Sequence, residues 1–151
     1  MDAPHPAQAG FTLIELMVVL VIVGIASAAI SLSIRPDPLQ LLRKDAERLA
    51  QAIQVAQAEA RADGRPILWL SDSKGYKFIR TDGQGGKEQF NGDAQLRPTR
   101  WQSTPMQVQL DRGKTLVLDA EWIAPPMRLS LSDGQHSIGV VRSANGEVRV
   151  Q

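Results

Sequence analysis

Residues 16–34 form a run of nineteen positions without a charge, and this run constrains the chain more than any other stretch. At about 1.5 Å per residue it makes roughly 28 Å of helix, close to the hydrocarbon thickness of a bilayer. One carboxylate, Glu15, stands at its head, inside apolar sequence that begins at Phe11. A charge near the bilayer centre costs about 2.5–3.5 kcal/mol on insertion scales, so an acid in that place implies a partner. The run therefore poses two questions: where the chain is cut or anchored, and what Glu15 meets.

The residues allow two ordinary answers. A secretory signal would be cut at the small-residue site Ala26-Ser27-Ala28. Against that, residues 1–10 hold no Lys or Arg, Glu15 interrupts the apolar core, and the run continues past the cut. A plain signal anchor accounts for the length and leaves Glu15 without a role.

A third answer comes from likeness. Gly10-Phe11-Thr12-Leu13-Ile14-Glu15 followed by an apolar run resembles the class III signal of type IV pilins and type II secretion pseudopilins. The resemblance implies a leader of residues 1–10, cut after Gly10 by a prepilin peptidase that then methylates the amine of Phe11. It also implies an assembly role for Glu15. A carboxylate in lipid is tolerable when a cation neutralises it, and the amine of a neighbouring subunit's Phe11 is such a cation. The basic residues after the run, Arg35, Arg43, Lys44 and Arg48, are interleaved with Asp37, Asp45 and Glu47. Orientation is accordingly taken from the cleavage motif rather than from a count of positive charges.

Pro36 and Pro38 each restrict the residue before them and lack a backbone donor, so a kink or break is expected over 35–38. Helical spacing then resumes. Leu39, Leu42, Ala46, Leu49, Ile53, Ala56 and Ala60 recur three or four apart and line one face. Arg43, Lys44, Asp45, Glu47, Arg48, Glu59 and Arg61 are assigned to the other faces, and Asp63-Gly64 with Pro66 is a stop signal. The stripe reads as a helix laid on its own domain's sheet; a coiled-coil seam is the alternative, only some three heptads long. The two segments together read as one long N-terminal helix, apolar in its first half (11–34) and amphipathic in its second (35–64).

From residue 65 the period changes to two. Residues 66–70 (PILWL), 76–81, 106–110, 116–118, 129–132, 137–142 and 147–150 read as short strands. Asp133-Gly134 and Asn145-Gly146 supply the positive φ of tight hairpins, so the end of the chain reads as a three-stranded antiparallel meander. Residues 82–101, polar and marked by glycine and proline, read as a long loop with a short strand around 95–101. A helix followed by a run of strands gives an α+β fold, a long helix packed on antiparallel sheet.

The sequence offers little chemistry. Cysteine is absent, which removes disulfides, thiol catalysis and cysteine-ligated metals. Net charge is +1, giving no basic surface for nucleic acid. Of the two histidines, His5 would leave with the leader, and His136 beside a turn reads as a solvated side chain. The Asp72-Ser73 and Asp82-Gly83 pairs read as turn chemistry rather than calcium ligands. The glycines of 83–86 lack the lysine-serine pair of a phosphate loop. Trp69 reads as core; Trp101 and Trp122, flanking polar or proline segments, are candidates for core or for a contact surface.

The segment R-L-S-L-S-D-G-x-x-S-I-G-V-V at 128–141, with Glu147-Val148-Arg149-Val150 after the Asn-Gly turn, resembles the C-terminal sheet of the GspH/FimT group. That group holds minor pseudopilins of type II secretion and related minor type IV pilins. It implies a non-enzymatic structural subunit with a type IV pilin-like fold and no cofactor, metal or small-molecule substrate. It implies an inner-membrane anchor, a β-rich periplasmic domain (65–151), and partners among major and minor pseudopilins and the prepilin peptidase. A minor type IV pilin that primes pili is the alternative, and more remotely a membrane-anchored periplasmic binding domain.

Overall fold

A computed structural model describes residues 10–33, 36–82, 84–113, 115–121 and 125–151. Residues 1–9, with His5 and most of the expected leader, lie outside the described residues, as does Trp122 with its contact-surface reading. The chain divides into two units, Met1–Pro36 and Asp37–Gln151.

In the first unit a single helix, α1 (Leu13–Ser33), holds the apolar run. In the second unit α2 (Pro38–Asp63) begins on a cap: the Asp37 carboxylate accepts the Leu39 N–H at 3.0 Å, and Pro38 takes the first turn, where a missing donor costs nothing. Gly64 closes α2 at φ 66°, a left-handed residue that the backbone needs there. The expected break is thus present, with Pro36 and Asp37 outside either helix.

Among the described residues nine strands follow: β1 (Ile67–Ser71), β2 (Gly75–Thr81), β3 (Lys87–Gln89), β4 (Thr99–Arg100), β5 (Gln107–Leu110), β6 (Leu116–Leu118), β7 (Met127–Ser132), β8 (Ser137–Arg142) and β9 (Val148–Val150). They form two antiparallel sheets. Sheet A runs β3-β2-β1-β6, with β4 sharing the β2 edge that β3 occupies; sheet B runs β5-β7-β8-β9. The meander expected at the C-terminus is β7-β8-β9, turning at Gly134 (φ 93°) and Gly146 (φ 84°).

The α2 stripe packs on both sheets. Leu42, Ala46, Leu49, Ile53, Ala56 and Ala60 are fully buried against Ile67, Trp69, Phe78, Leu118, Leu129, Leu131 and Val140. Each large side chain among them contributes roughly 1.5–3 kcal/mol by leaving water. One expectation is corrected and two are decided by the fold. Leu39 is 37% exposed, because the whole first turn of α2 faces solvent and burial starts at Leu42. Trp101 is core and not a contact surface: it is 5% exposed, lies 4.8 Å from the Tyr76 ring, and donates its indole N–H to the Asp72 carbonyl at 2.9 Å. The 82–101 segment holds the short strand expected around 95–101, as β4, and one that was not expected, β3; both add to β2, and Leu96 is 1% exposed. At the β2–β4 pairing a side chain on Gly75 would run into the Thr99 carbonyl, so only glycine fits.

Candidate functional site: the head of the apolar helix and the polar joints of the domain

Gly10 and Phe11 precede α1 in non-helical backbone; Gly10 has open space around it, and Phe11 is 84% exposed. Thr12 starts the helix. Its carbonyl accepts the N–H groups of Glu15 (3.1 Å) and Leu16 (3.3 Å), and its Oγ1 also accepts from Glu15 N–H, at 3.4 Å. Glu15 therefore falls in the first turn, where a negative charge suits the exposed N–H groups of a helix start. Among the described residues its carboxylate has neither hydrogen bond nor ion pair. Around and beyond it, Leu13–Ser31 is a membrane-length apolar span with none of its residues buried. Such a helix, apolar all round, calls for lipid or other helices as its surroundings.

The domain holds two polar joints that pattern reading placed wrongly or missed. Asp45, assigned above to a solvated face, is 2% exposed. Its Oδ2 accepts the backbone N–H groups of Gln102 and Ser103, both at 2.9 Å, and Oδ1 also accepts from Gln102, at 3.1 Å. The signal was available: position 45 is three after Leu42 and four before Leu49, on the buried stripe itself. The second joint is Arg80, 4% exposed on the core face of β2, which reaches Asp63 at 2.7 Å and Glu59 at 3.3 Å on α2. The same guanidinium lies 5.1 Å from the Phe90 ring centre.

The remaining polar groups are turn chemistry, as expected. The Asp72 carboxylate accepts from Lys74 and Gly75 N–H, Asp93 from Gln95 and Leu96, and Asp133 from Gln135 and His136. These backbone donors hold all three carboxyls below the usual aspartate range. His136 sits half-exposed, its Nδ1 3.2 Å from Asp133 Oδ2. Burial pushes the Tyr76 phenol up, and burial lowers Arg142, which donates to the Pro125 carbonyl at 3.2 Å. Among the described residues no three His, Asp or Glu side chains gather as metal ligands.

Two family models match the chain. The prokaryotic N-terminal methylation motif covers residues 5–31, and type II transport protein GspH covers residues 45–146. The chain belongs to the GspH family. That family is structural and not enzymatic, and the methylation motif puts the head of α1 in the pilin-like class. The type II secretion system protein H of Aeromonas hydrophila is 30% identical over 118 residues; the match takes in 76% of this GspH-family chain and 58% of that relative's length. The minor pseudopilin EpsH from the type 2 secretion system of Vibrio cholerae has a similar structure, with TM-score 0.58, 16% identity, and 73% of this chain and 95% of that one covered. The type IV minor pilin FimU of Pseudomonas aeruginosa is similar at TM-score 0.55 and 17% identity, over 73% and 87% of the two chains. These likenesses establish a pilin-like fold.

Proposed function

We propose that the chain is a minor pseudopilin that supports assembly of the type II secretion pseudopilus and so protein export across the outer membrane. In this reading residues 1–10 are a leader, the prepilin peptidase cuts between Gly10 and Phe11 and methylates Phe11, and residues 11–34 cross the inner membrane once. Residues 35–151, with α2 and the β-rich part, stand in the periplasm. Within the filament the Glu15 carboxylate pairs with the Phe11 amine of a neighbouring subunit, and the other subunits are major and minor pseudopilins. The observation that carries this reading is a Gly10–Glu15 processing motif at the head of a fully exposed apolar helix, on a chain whose domain is of the GspH family.

A second reading, a minor type IV pilin that primes pili, is favoured by the nearly equal likeness to FimU. Deleting the gene in its host separates the two. Loss of protein export with pili retained supports the pseudopilin; loss of pili with export retained supports the pilin. If neither is lost, both readings fail.

A further inference from the structure

The two sheets differ on the face turned away from α2. In sheet B that face is polar: β5 offers Gln107 and Gln109, β7 offers Arg128, Ser130 and Ser132, and β8 offers Ser137 across from Ser132. An antiparallel sheet with one wet face alternates in this way. Sheet A does not. Its core face is Ile67, Trp69, Tyr76, Phe78, Leu116 and Leu118. On the opposite face Val117, Leu68 and Ile79 stand side by side across β6, β1 and β2, and Leu70 follows beside Lys77. Val117 is 48% exposed, Leu68 and Leu70 are half-buried, and Ile79 is already buried, so the open part of the face is Val117, Leu68 and Leu70. A strand that is apolar on both sides, as β1 is, belongs in a sheet covered on both sides.

From Leu70 the face runs on into a cleft of about 330 Å³, lined by Leu70, Pro98 and Thr99 and rimmed by Lys74, Lys77 and Arg100. None of these three cations makes a salt bridge among the described residues. The one acid in the rim, Asp72, accepts from the N–H groups of Lys74 and Gly75, and its charge offsets only part of that of Lys74 and Lys77, which leaves the rim with a net positive excess. An apolar centre with an unbalanced basic rim fits a complementary surface of opposite charge.

We infer that the outer face of sheet A, from Val117 through Leu68 and Leu70 to the Lys74–Lys77–Arg100 rim, docks a different filament subunit through a segment in which carboxylates flank a bulky apolar side chain. This rests on the pseudopilin reading above. The chain has no cysteine, so one introduced thiol is unique.

The test uses the full chain in its host, carrying benzophenone-maleimide on Val117→Cys or Lys77→Cys, with Ser130→Cys on sheet B as the control. After irradiation the filament fraction is recovered and the adducts are mapped by mass spectrometry. The expected result is an adduct from the two sheet A positions to another pilin-class subunit, at an acidic-apolar peptide, at least about tenfold above the control. Lys74→Glu with Lys77→Glu should lower the Val117→Cys adduct by about tenfold, a change of about 1.4 kcal/mol. Equal adducts from both faces, an adduct of twice the chain's own mass, or a mapped peptide without carboxylates would each overturn the inference and leave the pseudopilin reading standing. Failure of the unmodified chain to appear in the filament fraction would overturn both.

Discussion

Glu15 on α1 and Asp45 on α2 are both carboxylates set among apolar neighbours, but only Asp45 is served by its own subunit. Its two oxygens hold the backbone of Gln102 and Ser103 and tie the β4–β5 connection to the helix. Glu15 heads a helix with no buried surface and has no side-chain partner among the described residues. A buried or lipid-facing charge must be paired or neutralised. One acid is therefore part of a finished fold; for the other, the proposal is that a second molecule's amine completes the contact.

The strongest way to break this contrast is Glu15→Val. Removing one partner of a desolvated ion pair costs about 3–5 kcal/mol, so recruitment into the filament should fall by roughly a hundredfold or more. Cleavage between Gly10 and Phe11 should stay intact, read from the size of the membrane-bound chain. Normal assembly of this variant would end the proposed role for Glu15.

Asp45→Ala should act on the fold instead. It orphans the buried N–H groups of Gln102 and Ser103, at a cost of about 2–4 kcal/mol in urea unfolding of the Asp37–Gln151 unit. Asp45→Asn should lose less, because its amide oxygen still accepts. The same measurement sharpens the extent of the α2 stripe: Leu42→Ala should cost about 2–5 kcal/mol and Leu39→Ala no more than about 0.5 kcal/mol.

The smallest effect is on pH dependence. Asp72, Asp93 and Asp133 have folded-state pKa values below the ordinary one. Their contribution to stability is full above about pH 4 and is lost as pH falls through the lower folded-state values. Asp133→Asn should lower stability near neutrality and flatten the acid limb of a stability-against-pH curve, so that variant and parent converge at low pH.

What could be read from the sequence tracks how each feature is encoded. The apolar run, the α2 stripe from Leu42 to Ala60 and the Gly-marked hairpins of β7–β9 are periodic or carry turn residues, and all are present in the fold. Strand β4 falls in the short strand expected around 95–101, whereas β3, three residues long, is too short to show a period and emerges only through pairing with β2. Arg80 was hidden for another reason, and Asp45 was passed over for the same one although its spacing puts it on the stripe. A charged letter reads as solvent-facing, and their partners lie far along the chain, at Gln102 and Ser103 for one and at Glu59 and Asp63 for the other. The processing motif was legible as a motif, because it is a local string at the head of a helix. Its proposed consequence is intermolecular, and among the described residues Glu15 has no side-chain partner.

The most direct measurement of the central claim is the mass of the N-terminal peptide from the protein extracted from its host's membrane. The assembly account predicts a chain that begins at Phe11 and carries one methyl group on its amine. A chain that begins at Ala29, after the Ala26-Ser27-Ala28 site, would contradict it, as would one that keeps residues 1–10.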